Sequence, residues 1–210
     1  MDFLESVKKA KEQSRKRNFS QTWDLSVGLK NIDLKNPENK LNLDFSLPEG
    51  RGKDIKTCFI VDTLLAEAKG KADQVITRAD LDKLGKDKKK LKKLVAEYDV
   101  WFAEAPLMPI VGKTLGIVLG PVGKMPKPIP PKGSIDPFIN MSKKLIKIRV
   151  KSSPVIHVPV GTDKLTDEQT ARNVLAVMNF IKEKLPKGRA SIKSVYLKLT
   201  MGKAVKLEEW

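Results

Sequence analysis

The chain has 210 residues, enough for one large domain or two small ones. Its 41 Lys and Arg against 25 Asp and Glu give a net charge of +16, which favours a nucleic-acid partner over a merely solvated basic surface or an anionic membrane. The single cysteine and single histidine exclude an internal disulfide and a His/Cys zinc site. We therefore expect a cytoplasmic protein with a buried Cys58, no signal peptide and no membrane partner.

The first 50 residues predict one helix and two strands. Residues 3–17 carry apolar side chains at helical spacing and a basic opposite face. Apolar and polar residues then alternate over 21–27 and again over 41–47, as in half-buried strands. Because a turn signal at 36–39 separates them, we expect the two strands to pair antiparallel with each other.

From Lys53 to about Leu145, short apolar runs alternate with helical segments, which indicates an α/β lobe with a largely parallel sheet. Proline and glycine crowd residues 106–133, which predicts an extended loop containing one short element. A helix is expected after Ser134. The candidate strands are 57–61, 74–76 and 98–103, and the candidate helices lie near 63–69, 77–83 and 86–97.

In the C-terminal third, apolar and polar residues alternate again. Strands are expected over 146–151, 155–160 and 194–200. Between the last two, Thr166-Asp167-Glu168-Gln169 has the pattern of a capping box at the start of a helix. The predicted apolar stripe of that helix consists of Ala171, Val174, Leu175, Met178 and Ile181.

The two ends of the chain therefore both show apolar and polar residues in alternation, whereas the middle shows short apolar runs that alternate with helical segments. We predict a two-domain α+β and α/β protein. Residues 1–52 and 146–210 form a discontinuous domain with a split β-α-β-type antiparallel sheet, and residues 53–145 form an inserted Rossmann-like α/β domain. Both lobes are basic, with 23 basic and 14 acidic residues in the split lobe and 18 and 11 in the insert.

Enzyme motifs are absent from the sequence. Gly112-Lys113-Thr114 resembles the end of a phosphate-binding loop, but Leu107 stands where that loop needs a glycine. His157 has no nucleophile or carboxylate beside it in the sequence. We expect no catalytic site, no cofactor and no metal.

Small polar side chains recur on the outward positions of the predicted strands. They can bind ribose hydroxyls and base edges, or they can simply face water. Two segments favour nucleic acid: Thr200-Met201-Gly202-Lys203, which permits close approach, and the basic stretch around Phe19. Phe19 itself fits a core position equally well. The outward set is Thr22, Asp24, Ser26, Asn42, Asp44, Ser194 and Thr200.

Four motifs in this order resemble the universal ribosomal protein L-one family of the large subunit, in its archaeal form. The resemblance covers essentially the whole chain, and the match is specific because the motifs occur together. They are 46–53 (SLPEGRGK), 119–126 (LGPVGKMP), 156–161 (IHVPVG), and 194–196 with 200–202 (SVY and TMG).

The resemblance implies a split-domain fold with a hinge near Gly50 and Gly52. It also implies binding to the stalk region of large-subunit rRNA near the tRNA exit site, contact with departing tRNA, and repression of translation through the protein's own mRNA. We expect a monomer off the ribosome. Asp24 stands where many members have glutamate. The RNA-binding positions that we infer are Phe19, Thr22, Asp24, Arg149, Ser153, His157, Gly161, Ser194, Lys198, Thr200, Met201 and Gly202.

Overall fold

The computed structural model describes residues 3–32, 34, 41–131, 134–150 and 153–208. The chain divides into a terminal unit, Met1–Lys53 with Lys144–Trp210, and an inserted unit, Asp54–Lys143. Within the described residues, no single helix is long and apolar enough to cross a membrane. The turn predicted at 36–39 lies outside the described residues.

The helices and strands are numbered in chain order through both units. The terminal unit contains α1 (Phe3–Glu12), β1 (Thr22–Leu29), β2 (Asn42–Ser46), β7 (Leu145–Arg149), β8 (Val155–Thr162), α8 (Asp167–Lys184), β9 (Ile192–Leu199) and β10 (Val205–Leu207). The inserted unit contains β3 (Thr57–Ile60), α2 (Leu65–Ala68), β4 (Gln74–Ile76), α3 (Arg78–Lys86), α4 (Lys88–Glu97), β5 (Val100–Glu104), α5 (Met108–Thr114), α6 (Gly116–Val122), β6 (Lys127–Ile129) and most of α7 (Asp136–Lys144).

A four-stranded antiparallel sheet in the order β10-β9-β1-β8 forms the centre of the terminal unit. The alternation predicted for β1 is confirmed, because Trp23, Leu25 and Val27 are buried while their polar neighbours are half-exposed. The buried side of the sheet packs against α1 and α8 in one apolar core. The opposite side is left free of that core, and this sets the position of the candidate site.

The predicted pairing of the first two strands is wrong. Strand β2 pairs antiparallel with β7, so that Asn42 lies opposite Arg149 and Ser46 opposite Leu145. Both edges of β1 are already occupied, one by β8 and the other by β9. The local turn signal therefore gave the wrong partner, because the pairing is decided by strands that come more than 100 residues later.

Helix α8 begins with the predicted capping box, in which the Thr166 hydroxyl accepts the Gln169 N–H at 3.2 Å and the Gln169 side chain accepts the Thr166 N–H at 3.0 Å. Its buried face differs from the prediction, because Leu175 is exposed and Asn173 is fully buried. Helix α1 also ends early, at Glu12. Beyond the end of the helix, the Arg15 carbonyl accepts from the Gln21 side chain at 3.3 Å.

Buried Asn173 fixes the segment that leaves the terminal unit. Its amide nitrogen donates to the carbonyls of Gly50 and Val160 at 3.0 and 2.8 Å, and its oxygen accepts the Glu49 N–H at 3.1 Å. Hydrogen bonding allows this polar side chain to take a core position. The helical apolar pattern alone therefore misplaces the buried face of α8.

The inserted unit contains a parallel sheet in the order β4-β3-β5-β6, with an apolar cluster on each side, which confirms the predicted α/β fold. Side chains alternate between the two clusters along β3, where Cys58 and Ile60 face one and Phe59 faces the other. The Cys58 thiol is buried, as predicted, and desolvation raises its pKa to about 12.

Within the segment 106–133, the described residues 106–131 do not form the extended loop that the sequence predicts. They contain α5, α6 and β6. Pro109 falls in the first turn of α5, where proline is tolerated, and Gly123 closes α6 with a left-handed φ of 73°. Pro109 and Gly123 therefore lie at helix boundaries, whereas Pro121 lies inside α6. The Gly112-Lys113-Thr114 motif lies in the last turns of α5 and does not form a phosphate-binding loop.

Replacing Asn173 with alanine should lower the free energy of unfolding by about 3 kcal/mol, because two carbonyls and one N–H lose their partner. Urea denaturation followed by circular dichroism measures the change. Glu183→Ala, on the exposed side of α8, is the control and should change stability by less than about 0.5 kcal/mol. Equal stabilities of the two variants would contradict the role assigned to Asn173.

Candidate nucleic-acid interface

The outward face of the four-stranded sheet brings together side chains from strands that lie far apart in the sequence. Ser26 on β1 lies opposite His157 on β8 and Tyr196 on β9, and Lys206 on β10 lies beyond Tyr196. The Ser26 Oγ lies 2.9 Å from the His157 Nδ1. An imidazole, a hydroxyl, a phenol and an ammonium thus form one row across the sheet, over about 14 Å.

A second row runs parallel to the first. Asp24 lies opposite Pro159 on one side and Lys198 on the other. Burial raises the pKa of the Asp24 carboxyl, against the opposing effects of Lys198 and His157. The carboxylate is therefore held on a partly desolvated surface at a cost in stability, and it can accept a hydrogen bond from a ligand placed on the sheet.

At the C-terminal end of β1, Gly28 contributes no side chain to the outward face. A Cβ atom on Gly28 would come within 2.9 Å of the Ser194 Oγ, so the serine side chain occupies the space that any larger residue would need. Ser153 is exposed at this same end, just before β8. Residues Ser194 and Ser153 therefore lie near one end of the face.

The opposite end of the face is formed by the residues around Thr200. The Thr200 hydroxyl accepts the Thr22 N–H at 3.0 Å and donates to the Thr22 carbonyl at 3.2 Å. These bonds close the sheet at the start of β1. Met201, the next residue in the chain, is 60% exposed. Phe19, three residues before Thr22, is 50% exposed, which shows that Phe19 is not a core residue. The two apolar side chains are available to an external partner.

Two residues that the sequence analysis did not select hold this end of the face in place. Buried Gln21 accepts the Met201 N–H at 3.2 Å and donates to the Arg15 carbonyl at 3.3 Å. Asp163 accepts from the Ser20 hydroxyl and the Gln21 N–H, at 2.5 and 3.1 Å. No local motif marks either residue, because each acts through residues distant in the sequence.

Three of the inferred RNA-binding residues lie outside the two rows on the outward face. Gly161 is buried, and a Cβ there would lie 2.7 Å from Leu165, so its small size serves packing. Gly202 lies against Ser14 and Leu199, at 3.2 and 3.3 Å from a Cβ, so the close approach at this glycine is made by the protein itself. Arg149 lies on β7 in the separate two-stranded sheet. The RNA-binding roles of Gly161, Gly202 and Arg149 stay predictions, and the surface described here does not depend on them.

The part of the chain that the structure describes contains no group of three or more His, Cys, Asp or Glu side chains able to hold a metal ion. The face offers hydrogen-bond donors and acceptors, two exposed apolar side chains, and lysines. These groups can bind the sugars, base edges and phosphates of a nucleic acid.

Comparisons with known proteins match nearly the whole chain. The model of the Ribosomal protein L1p/L10e family matches residues 7–203. The chain is 46% identical over 208 residues to a large ribosomal subunit protein uL1 from Methanothermobacter thermautotrophicus, with 98% of each chain covered. It is 47% identical to the protein of that name from Pyrococcus horikoshii and 41% identical to that from Methanocaldococcus jannaschii, with 98% of this chain and 94% of each relative covered. These relatives are archaeal proteins.

Thr200→Val should lower the free energy of unfolding by about 1 kcal/mol, because the hydroxyl that binds both Thr22 backbone groups is lost and water replaces it only in part. Thr200→Ser keeps the hydroxyl and should stay within about 0.5 kcal/mol of the unmodified protein. Urea denaturation compares the two. A valine variant as stable as the serine variant would show that these hydrogen bonds do not stabilise the sheet.

Asp24→Asn should leave the protein as stable as before or make it more stable at neutral pH. The folded-state pKa of Asp24 is raised, so the folded protein holds this proton more tightly than the unfolded chain. The carboxylate therefore costs stability above its folded pKa, and the cost disappears as the pH falls below the ordinary value of 3.8. Thermal unfolding from pH 3 to pH 8 measures the difference between the variant and the unmodified protein. A variant that is less stable at pH 7 would contradict this.

Proposed function

The chain belongs to the Ribosomal protein L1p/L10e family, and from this we propose that it is a protein of the large ribosomal subunit that binds large-subunit rRNA through the outward face of its four-stranded sheet. Members of this family are ribosomal proteins and not enzymes. The observation that carries the proposal is the alignment of His157, Ser26, Tyr196 and Lys206 in one row across four strands.

The chemistry of the face suits RNA in particular. Asp24 can accept a hydrogen bond from a ribose 2′-hydroxyl or an exocyclic amine, and the serine and threonine hydroxyls can do so as well. Lys198 and Lys206 lie on the same face and can hold phosphates. The 2′-hydroxyl is the group that distinguishes RNA from DNA at such a surface.

Exposed Phe19 and Met201 favour an RNA with unpaired bases. Aromatic and methionine side chains pack against bases that have left the stack, which a regular duplex does not offer. Met201 follows Thr200 directly in the chain, and Phe19 lies three residues before Thr22, whose N–H is bound by the Thr200 hydroxyl at this end of the face. We therefore assign an irregular or looped part of the RNA to this end, and the hydroxyl-rich middle of the sheet to ribose and phosphate.

More specifically, we propose that the RNA is the stalk region of large-subunit rRNA close to the tRNA exit site, where the protein would also contact departing tRNA. We further propose that the same face binds a similar structure in the protein's own mRNA and represses its translation. The resemblance of the sequence motifs to the family supports these assignments. The protein would act in the cytoplasm within the large subunit, and as a monomer when off the ribosome.

Binding to a stalk rRNA fragment and to a scrambled RNA of equal length, each measured over a salt series, tests the proposal. A shaped site should keep its preference for the stalk fragment as salt rises, because hydrogen bonds and packing are less sensitive to salt than phosphate contacts. Equal affinities that fall together with salt would show a nonspecific polyanion binder and contradict the proposal.

Two single-lysine variants locate the site in the same assay. Lys198→Ala, on the outward face, should weaken binding of the stalk fragment by about 5- to 150-fold, as expected for a contact of about 1–3 kcal/mol. Lys9→Ala removes the same charge from the exposed side of α1, whose other side packs beneath the sheet, and should change affinity less than about threefold. Equal effects would place the RNA elsewhere.

A further inference from the structure

The sheet of the inserted unit has a topological switch point, the position at which open α/β folds bind ligands. Strand β3 lies between β4 and β5, so the chain leaves β3 in one direction to reach β4 and then crosses to the other side to form β5. In open parallel sheets, ligands bind outside the carboxyl ends of the two strands at such a switch point. Here those ends are the loop 61–64, which follows β3, and Glu104, the last residue of β5.

The loop presents a set of donors at this position. The N–H groups of Asp62, Thr63 and Leu64 point at one carboxylate, at 3.1, 3.4 and 2.9 Å, and the Thr63 hydroxyl donates to it at 3.1 Å. Successive backbone N–H groups that converge in this way form the cradles in which many proteins hold phosphate and other anions. The donors belong to the loop itself. They are not a helix N-terminus, since the helix that follows, α2, has four residues.

The carboxylate in the cradle is that of Glu104, which is 1% exposed. Burial would raise its pKa, but the hydrogen bonds from Leu64, Asp62 and Thr63 outweigh burial and hold the pKa below its ordinary value. Its partners among the described residues are N–H and O–H dipoles rather than a lysine or arginine. A buried charge held in this manner needs all of its donors, because each one replaces water.

We propose that the loop 61–64 is an anion-binding site that the chain fills with its own Glu104 carboxylate, so that the switch point of the inserted unit is closed to phosphate and nucleotide ligands. The fold thus keeps the donors of a ligand site and uses them to tie β5 to the end of β3. The inference is independent of RNA binding, which involves the other unit.

Replacing Glu104 with alanine tests this directly, because the atoms removed correspond closely to acetate. Acetate should bind the emptied cradle and stabilise the variant: its folding equilibrium constant should rise tenfold for each tenfold increase in acetate above the dissociation constant. The unmodified protein should show no such dependence. Unfolding is measured at constant ionic strength with chloride as the balancing anion, and inorganic phosphate is titrated in a second series.

Glu97→Ala is the matched control, since it removes an exposed carboxylate that pairs with Lys56 from the same unit. It should respond to acetate as the unmodified protein does. If Glu104→Ala is mostly unfolded without ligand, the acetate dependence of its folded fraction gives the same slope. A folded variant that ignores both acetate and phosphate would overturn the proposal.

Glu104→Gln provides a second, independent measurement. It fills the same volume without a charge, so it should be less stable than the unmodified protein at pH 7 and insensitive to acetate. A depressed folded-state pKa means that the stabilisation is present above the ordinary value of 4.5 and is lost as the pH falls through the folded value. The gap between the two proteins should therefore close in acid. Equal stability at pH 7 would also overturn the proposal.

Discussion

The terminal unit depends on the pairing of β1 with two strands that come much later in the chain. Its contacts join residues 131 positions apart at Ser26 and His157, and 178 positions apart at Thr22 and Thr200. The first 50 residues contribute one helix and one of the four strands of this sheet, together with β2 of the two-stranded sheet, and these cannot bury enough apolar surface alone. The core, the outward face and the closing hydrogen bonds at Thr200 all require both ends of the chain. The split organisation of the fold is thus a direct consequence of this sheet.

Local patterns in the sequence predicted the elements better than their partners. The alternation around Trp23 and Val195 and the capping box at Thr166 each depend on neighbouring residues, so they could be identified without a structure. The pairing of β2 with β7 could not, because it is decided by which edges β8 and β9 leave free. Asn173 was missed on α8 for a related reason: its place in the core depends on three backbone groups outside its own helix.

The candidate site shows the same limit. Outward polar positions such as Asp24 and Ser194 follow from a period of two, and the structure brings them onto one face. The glycines were harder to interpret, because a missing Cβ can admit either a ligand or another part of the protein. At Gly161 and Gly202 the neighbour is Leu165 or Ser14. No local sequence motif marks Glu104, since its hydrogen-bond partners lie about 40 residues earlier in the chain.

The position of β9 has a consequence for the way the protein is made. A growing chain emerges at about 5–20 residues per second, so β1 waits on the order of ten seconds or more for the strand that lies beside it, about 160 residues later. The inserted unit consists of contiguous residues and can fold in that interval. The outward face is completed only when Thr200 and Met201 have been synthesised. An incomplete chain therefore lacks the surface that we propose for RNA binding.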